Sequence, residues 1–381
     1  MSNERGPGEI KRLVVVSNRL PVVLAADEAG GWDVQPGAGG LITALAPVLR
    51  NRGGMWIGWA GVPADDAVRD ALDNAATGAG YSLHAVALPE EIIDGYYQGF
   101  ANEVIWPLFH DLLSRCNFLP HYWHDYLSAN RIFAETVAED TSEQDYIWIQ
   151  DYHLMNVADQ LKEMTVSRRT GFFLHIPFPP LDIFLRLPWR FQILRALLEF
   201  DLVGFQTARD TRNFIHCVRT LAPHLRITGR RGSFSVTQPE HTTRLGTFPI
   251  GIDFDSFDEQ ARSPEVEREM QLASDRLANI KVVLGIDRLD YTKGLPERIV
   301  AFQEALRRHP SAKRSAHPIL SFCGVGVEDA LEAQTLEEPL APIEALAGRG
   351  GWVVLLGVDH TCNTSLHAAE KRAGRRQFVR W

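Results

Sequence analysis

Cysteine is scarce in this sequence: the chain of 381 residues has four, and none of them form a C-x-x-C pair. This scarcity argues against a disulfide framework or a thiolate zinc site, and it favours reduced thiols in a cytoplasmic protein. Long apolar runs are also lacking, because charges interrupt each candidate before the length that spans a bilayer. The polar start of the chain has no signal-peptide core. We therefore expect a soluble protein without a membrane segment.

The chain has no excess of basic residues either. It carries 39 lysines and arginines against 48 acidic residues, which gives a formal net charge of −9. Nucleic acids and anionic membranes are bound through basic surfaces, so we exclude both as partners. This balance still allows a local basic pocket for a small phosphorylated molecule.

Length and composition are those of a globular protein with two domains. The hydrophobic content of 45% and the charged content of 23% are ordinary, and 381 residues exceed what one core usually supports. A polar, acidic connector begins at Phe248 and is the best boundary. We predict an N-terminal domain over residues 1–247 and a C-terminal domain over residues 248–381.

Short, nearly continuous apolar runs recur along the chain, each followed by a segment of helical period. These runs are RLVVVSN, DYIWIQ, TGFFLHI, DLVGFQ, TRLGTFPI, KVVLGID, HPILSFC and GWVVLLG. Such runs are typical of parallel strands that are covered by helices on both faces. The pattern predicts an α/β protein with two Rossmann-like, doubly wound domains facing a crevice. In such sheets, ligands gather at the carboxyl ends of the strands.

Arg19 stands at the carboxyl end of the first run, and Gly37, Gly39 and Gly40 precede the next helical segment. Backbone N–H groups at a helix start attract anions, and glycine lets a phosphate approach closely. The glycine cluster therefore fits an anion site with outward-pointing N–H groups. On its own, the cluster favours a flexible turn that simply enters a helix.

Two stretches are rich in aromatic residues, GGMWIGWAG and YYQGFANEVIWPLFH. They contain Trp59, Tyr97 and Trp106, and aromatic faces with polar tips suit the apolar face and hydroxyl rim of a sugar. Core packing explains any single ring better. The clustering shifts the interpretation slightly towards a sugar pocket.

Polar residues follow two neighbouring strands of the predicted sheet. Asp151 comes just past DYIWIQ, and His175 holds the same relative position on the next run. A carboxylate and an imidazole at strand ends can hydrogen-bond hydroxyl groups or take part in proton transfer. Asp151 could equally cap a helix, and His175 could be a satisfied core residue.

The stretch GIDRLDYTKGLPER joins an apolar run to a helical segment and carries Arg288 and Lys293. Two cations near a helix N-terminus oppose the helix dipole unless an anion binds there. An arginine fork with a lysine charge makes a good diphosphate clamp, which Asp287 and Asp290 could orient. A local ion-pair network among these four residues predicts the same composition and stays an alternative.

Nine motifs follow one another along the chain: VVVSNRLP, PGAGGL, WIGWAG, YYQGFANEVIWPLFH, IWIQDYHLM, FFLHIPFPP, DLVGFQT, FPIGID and RLDYTKGLPER. In this order they resemble the trehalose-6-phosphate synthases, which are retaining glycosyltransferases of the two-domain GT-B fold. The motifs cover about residues 12–309. Nine ordered matches are far more specific than a single glycine pattern.

The resemblance implies transfer of glucose from a nucleotide-glucose, with UDP-glucose favoured, to glucose 6-phosphate, giving α,α-trehalose 6-phosphate with retention. It also implies two sets of site residues. The acceptor set is Arg19, Trp59, Tyr97, Trp106 and Asp151. The donor set is Gly40, His175, Arg288 and Lys293. The catalytic roles fall to Arg288, Lys293, Asp151 and His175.

No cofactor or metal ion is expected, because fixed cations would neutralise the leaving diphosphate. The triplet DFD at Asp253 to Asp255 has the carboxylate spacing of metal sites in another class of sugar transferases. Such triplets are frequent by chance, and this one lies in the proposed connector, so we do not predict a metal site there.

The motifs stop after about residue 309. The family's Asp-Gly-Met-Asn-Leu-Val-x-Lys-Glu-Tyr segment, which holds the donor glucose and ribose, has no counterpart in this chain. An arginine that the family uses for the acceptor phosphate, in a short Ser-Arg stretch, has none either. We expect a donor domain that is truncated or aberrant beyond this point, as an interrupted or frameshifted reading frame would produce. If the tail is real, the ribose and glucose contacts are missing, and the expected activity is greatly reduced or absent.

Two alternatives stay open. The first keeps the fold and donor but uses another phosphorylated acceptor, such as glycerol 3-phosphate or a cyclitol phosphate. The second is a non-catalytic relative that binds sugar phosphate. The sequence allows a homo-oligomer, and it leaves open whether the donor carries UDP, GDP or ADP.

Overall fold

The apolar runs of the sequence form strands in two separate sheets. The computed structural model describes residues 10–26, 31–37, 39–50, 53–230, 232–276, 281–287, 290–309, 316–322 and 354–357. The chain divides into two compact units, Met1–Asp253 and Phe254–Trp381. The domain boundary expected between residues 247 and 248 lies six residues N-terminal to this division.

The described strands are numbered in chain order. They are β1 (Arg12–Arg19), β2 (Val22–Ala26), β3 (Trp32–Pro36), β4 (Met55–Trp59), β5 (Ser82–Val86), β6 (Asp145–Gln150), β7 (Arg169–Leu174), β8 (Leu202–Phe205), β9 (Arg226–Arg230), β10 (Ser233–Thr237), β11 (Thr242–Thr247), β12 (Lys281–Asp287), β13 (Ala316–Phe322) and β14 (Val354–Gly357).

The described helices are numbered in the same way. They are α1 (Gly40–Arg50), α2 (Asp66–Ala79), α3 (Glu90–Ile93), α4 (Trp106–Phe109), α5 (Pro120–Asp140), α6 (Val157–Glu163), α7 (Leu181–Phe184), α8 (Arg190–Leu197), α9 (Ala208–Leu221), α10 (Phe254–Ala261), α11 (Pro264–Arg276) and α12 (Leu295–Arg308). A π-helix spans Asp94–Ile105, and 3₁₀ turns span Leu113–Arg115, Tyr152–Leu154 and Tyr291–Lys293. In the described part of the chain, no helix combines the length and apolar character that crossing a membrane requires.

The first unit is built on a sheet with the strand order β5-β4-β1-β6-β7-β8-β11-β10-β9. Its first seven strands pair in parallel. This confirms the expected α/β fold with a mostly parallel sheet. Strands β10 and β9 depart from it and pair antiparallel. Only residues 231 and 232 separate them, and so short a connection can join antiparallel strands only. Arg226 and Arg230 are exposed on the edge strand β9.

Strand β1 separates two hydrophobic clusters. Val14 and Val16 belong to one cluster and Val15 to the other, and all three side chains are fully buried. Successive side chains of a strand point to opposite faces, so the sheet is covered on both sides. Burial of one valine contributes about 1.5–3 kcal/mol, which makes the uninterrupted apolar run the main stabilising feature of this strand.

The second unit has a three-stranded parallel sheet in the order β12-β13-β14. Strand β12 pairs with β13 from Lys281 opposite Ala316 to Asp287 opposite Phe322. Helix α12 follows β12 and carries a proline in its first turn, where the missing N–H costs no helical hydrogen bond. A strand followed by a helix and a parallel strand is again the doubly wound pattern.

An ion pair fixes β1 against β6 at their amino ends. Arg12 lies opposite Asp145 in the parallel register, and its Nη2 and Nε donate to the two carboxylate oxygens at 3.0 and 3.3 Å. The Ser142 N–H also donates to Asp145 Oδ2 at 2.8 Å. Burial alone would raise the pKa of Asp145. The hydrogen bonds from Arg12 and Ser142 outweigh burial and hold this pKa below its ordinary value.

We predict that Asp145→Asn lowers the free energy of unfolding by about 2 kcal/mol, because the buried hydrogen-bond network loses its negative charge and one of its two acceptor oxygens. Urea unfolding at neutral pH measures this loss. Asp66→Asn is the matched control, since the Asp66 carboxylate pairs with Arg69 at an exposed site. A carboxyl with a lowered folded pKa stabilises the protein above its ordinary pKa of about 3.9, and this contribution is lost as the pH falls through the folded pKa. The unfolding free energies of the wild type and Asp145→Asn should therefore converge in acid. Equal stability of these two proteins at neutral pH would contradict the prediction.

Candidate active site

The carboxyl ends of four neighbouring parallel strands meet at one edge of the large sheet. Arg19 ends β1 and Trp59 ends β4, and these two residues are paired in the register. Asp151 follows the last residue of β6, and His175 follows the last residue of β7. The residues that the sequence predicts at strand ends are thus brought together.

Arg19 reaches this edge through an irregularity in β1. The register between β1 and β4 shifts between Ser17 and Arg19. Ser17 Oγ donates to the Arg19 carbonyl at 2.6 Å and accepts the Trp56 indole N–H at 2.7 Å, which fixes the backbone there. The Arg19 guanidinium lies over the Trp59 ring, with Cζ 4.0 Å from the ring centroid, and 6.0 Å from the Tyr97 ring. Arg19 is exposed at this position, whereas Trp59 is buried.

Tyr97 is carried by the π-helix that precedes α4. Its neighbour Tyr96 is fully buried and donates through its hydroxyl to Asn18 Oδ1 at 2.8 Å. This bond ties the π-helix to the end of β1. Tyr96 lies in the core, while Tyr97 stays half-buried beside Arg19.

His153 and Tyr152 complete an aromatic cluster that sequence reasoning missed. The His153 ring stacks on Tyr97 with centroids 5.7 Å apart and an interplanar angle of 15°, and it also contacts Tyr152 at 4.0 Å. Trp106 packs against Tyr152 at 5.7 Å. The signal was present, because both residues directly follow Asp151 in the motif IWIQDYHLM. This cluster connects Trp106 to Arg19 through rings in contact.

His153 is held neutral by its surroundings. Its Nε2 is buried and has no hydrogen-bond partner among the residues that the structure describes. Burial, and after it the positive charge of Arg19, lowers the pKa of His153 to about 3. An uncharged ring can pack beside the guanidinium without repelling it.

Asp151 has a backbone conformation that side chains rarely adopt, with φ 69° and ψ 171°. Its N–H donates to the Phe173 carbonyl at 2.8 Å, and its Oδ1 accepts the His175 backbone N–H at 3.1 Å. The carboxylate therefore spans two strand ends and makes no side-chain capping bond to the 3₁₀ turn that follows. This conformation is essentially confined to glycine elsewhere and stores about 1–3 kcal/mol of strain.

The imidazole of His175 is oriented by Gln150. Gln150 Nε2 donates to the Trp148 carbonyl at 3.3 Å, which directs its amide oxygen at His175 Nε2, 3.0 Å away. An amide oxygen only accepts, so Nε2 carries the proton. Burial lowers the pKa of His175 to about 4. The ring is therefore neutral, and its Nδ1 is a hydrogen-bond acceptor.

The glycine cluster before α1 fits the predicted anion site only in part. The Gly37 N–H points inward and donates to the Pro21 carbonyl at 2.8 Å, so the prediction that it faces outward is wrong for this residue. A Cβ at Gly37 would also crowd the Pro21 carbonyl oxygen. Gly40 begins α1, and a Cβ placed on it would meet no described heavy atom within 4 Å. Space for a ligand thus exists at Gly40.

The second unit contributes Lys293 to the predicted residues, while Arg288 lies outside the described residues. Lys293 is half-buried and ends the 3₁₀ turn before α12. Asp290 Oδ1 accepts the Thr292 N–H at 2.8 Å and so caps this turn. Over the described ranges, no three His, Cys, Asp or Glu side chains are grouped as a metal site would require. Metal-independent chemistry stays a prediction.

The fold and this edge define a class of protein, an α/β protein of the GT-B type with a polar and aromatic site at the carboxyl ends of parallel strands. Within that class, the profile of glycosyltransferase family 20 matches residues 11–341, and the chain belongs to this family. The match extends past residue 309, where the motifs in the sequence end.

The chain is similar to several trehalose-6-phosphate synthases. One from Mycobacterium sp. (strain KMS) is 40% identical over 314 residues, which are 80% of this chain and 63% of that protein. The Burkholderia xenovorans α,α-trehalose-phosphate synthase (UDP-forming), solved with glucose-6-phosphate, superposes with a TM-score of 0.76 at 28% identity over 95% of this chain and 77% of its own. An E. coli structure bound with UDP-2-fluoro glucose gives 0.73 at 31% identity, over 95% and 76%. The chain thus spans less than two thirds of the mycobacterial protein.

We predict that Asp151→Gly is more stable than Asp151→Ala by about 1–2 kcal/mol. Both variants lose the carboxylate, but only glycine relieves the strained backbone. The greater freedom of glycine in the unfolded chain offsets only part of this gain. Urea unfolding of the two variants measures the difference, from which the lost hydrogen bond cancels. An alanine variant as stable as the glycine variant would contradict the strain.

We predict that His153→Phe flattens the acid dependence of stability. A histidine with a lowered folded pKa binds more protons when unfolded, so its contribution is complete above pH 6.5 and is lost as the pH falls towards the folded pKa of about 3. Unfolding free energies between pH 7 and pH 4 should therefore fall less steeply in the variant, by up to about 1.4 kcal/mol per pH unit. His124→Gln, at an exposed position, should retain the wild-type slope. The same slope in all three proteins would disprove the neutral, buried state.

Proposed function

We propose that the chain is a cytoplasmic retaining glucosyltransferase that transfers glucose from a nucleotide-glucose, UDP-glucose first, to glucose 6-phosphate. The product is α,α-trehalose 6-phosphate. Membership of glycosyltransferase family 20 supports the reaction class. The likeness to proteins solved with glucose-6-phosphate and with UDP-2-fluoro glucose supports the substrates.

The observation that carries the proposal is the exposed Arg19 guanidinium at the sheet edge, which lies over Trp59 and beside Tyr97. A planar guanidinium matches phosphate oxygens in pairs and binds them through charge-assisted hydrogen bonds. Rings next to it offer apolar faces for a sugar. In the proposal, Arg19 and Tyr97 bind the acceptor phosphate, and Trp59, Trp106 and Asp151 line the acceptor sugar.

The donor half of the proposal uses residues carried over by motif. Gly40 offers its backbone N–H and open space to the donor phosphate, and His175 contacts the donor glucose. Arg288 and Lys293 hold the diphosphate. The neutral His175 ring suits a hydroxyl group, because its Nδ1 can accept a hydrogen bond.

The proposed step breaks the bond from glucose C1 to the diphosphate oxygen and forms a bond from C1 to the acceptor hydroxyl oxygen on the same face. The hydroxyl proton passes to the departing phosphate. Negative charge grows on the leaving oxygen, and Arg288, Lys293 and the Gly40 amide stabilise it. Fixed cations serve in place of a metal ion, and no cofactor takes part.

Two other functions are alternatives to this transfer. One uses a different phosphorylated acceptor, such as glycerol 3-phosphate or a cyclitol phosphate, since Arg19 is proposed to bind the phosphate and not the sugar. The other is a non-catalytic relative that binds sugar phosphate.

The deciding experiment is a product assay by mass spectrometry on the purified 381-residue chain. It receives UDP-, GDP- or ADP-glucose with glucose 6-phosphate, and in parallel with glycerol 3-phosphate or a cyclitol phosphate. Because the family match extends past residue 309, we expect a disaccharide phosphate from UDP-glucose and glucose 6-phosphate, and not the absence of activity expected from the sequence motifs alone. Product only with another acceptor would replace the proposed substrate. No product from a protein that melts cooperatively would overturn the transferase and leave the binding protein.

We predict that Arg19→Lys raises the KM for glucose 6-phosphate about 10- to 100-fold, because lysine keeps the charge but loses the paired hydrogen bonds. The KM for the nucleotide-glucose should change less than about twofold. Such a change corresponds to less free energy than one hydrogen bond contributes. Steady-state kinetics with each substrate varied in turn measures both values. Arg69→Lys, an exposed arginine on α2, is the control. Equal effects on both substrates would contradict an acceptor role for Arg19.

A further inference from the structure

Gly61 faces the Arg19 guanidinium directly. It lies two residues past the end of β4 and has a φ of +87°. A Cβ placed on Gly61 would overlap Arg19 Nη1 and would lie 3.3 Å from Cζ and 4.0 Å from Nη2. The guanidinium therefore occupies the volume that a side chain at this position would need.

The guanidinium is consequently held between the Trp59 ring, 4.0 Å from Cζ, and the bare backbone of Gly61. The overlapping atom is the far end of a long, flexible side chain. A methyl group at position 61 would therefore push Arg19 off the Trp59 ring rather than disturb the sheet. Arg19 would keep its charge and lose its orientation.

We propose that Gly61 is a positioning residue for anion recognition at this edge: the absence of a side chain there lets the Arg19 guanidinium lie over Trp59 and beside Tyr97. The inference rests on the proposed function, because the anion is taken to be the phosphate of the acceptor sugar. It assigns to WIGWAG a role distinct from stacking, which is to leave room for an arginine on another strand.

Gly61 could instead be needed only for its positive φ, which alanine adopts with strain whatever its surroundings. The chain offers a matched control. Gly232, between β9 and β10, has a φ of +90°, and no described heavy atom lies within 4 Å of a Cβ placed on it. Gly232→Ala thus carries the same backbone strain without meeting an arginine.

The test compares the full chain with Gly61→Ala, Gly232→Ala, Arg19→Ala and the double variant of Gly61→Ala with Arg19→Ala. Calorimetric titration with glucose 6-phosphate measures the Kd, and steady-state kinetics measures KM and kcat. We expect Gly61→Ala to weaken acceptor binding at least tenfold, with little change in the KM for the nucleotide-glucose. Gly232→Ala should bind as the wild type does. Both glycine variants should lose a similar amount of Tm.

The double variant makes the test specific for Arg19. If Gly61 acts through this arginine, Gly61→Ala should have no further effect on binding once Arg19 is alanine. Additive losses would overturn the inference, and so would wild-type affinity in Gly61→Ala. Either result leaves the proposed function intact, because Arg19→Ala still reports on it.

Failure of the proposed function is distinguishable from failure of this inference. If the wild-type chain neither turns over nor binds glucose 6-phosphate, crystal structures of the wild type and Gly61→Ala decide the inference alone. A guanidinium displaced from Trp59 in the variant, with the rest of the sheet unchanged, supports it. An unmoved guanidinium overturns it.

Discussion

The parallel pairing of β1 between β4 and β6 is the constraint on which the rest of the structure depends. Because all three strands run the same way, their carboxyl ends stop at one edge and present side chains there. The Arg12–Asp145 bonds fix the opposite end of β1, so the position of Arg19 follows from the register. A one-residue slip would exchange the two buried faces of β1 and carry the guanidinium away from Trp59.

Sequence reasoning predicted those features that depend on local pattern. The apolar runs gave the parallel strands, and Asp151 and His175 were predicted at strand ends because each directly follows such a run. The sequence did not indicate the π-helix, the register shift before Arg19 or the positive φ of Asp151. These depend on contacts between distant segments, such as Tyr96 with Asn18 and Asp151 with His175. The roles predicted for the site residues stay predictions.

The electrostatics of the edge depend on neutrality as much as on charge. Burial keeps both His153 and His175 uncharged near neutral pH, and the positive charge of Arg19 acts on His153 in the same direction. An anionic ligand at Arg19 would therefore meet a guanidinium backed by neutral rings. Polar bonds such as that of Gln150 with His175 fix ring orientation, while the charged group keeps its exposure to solvent.

The antiparallel hairpin of β9 and β10 has a consequence for how the protein behaves at high concentration. A parallel sheet that ended on an apolar strand would offer unpaired backbone groups as a template for a second chain. Here the outermost strand carries the exposed Arg226 and Arg230 and contains Gly229 at a φ of +112°, which interrupts regular extended backbone. Charge repulsion between two such edges and the irregular backbone at Gly229 both discourage intermolecular strand addition. The hairpin thus protects a nine-stranded sheet from self-association along this side.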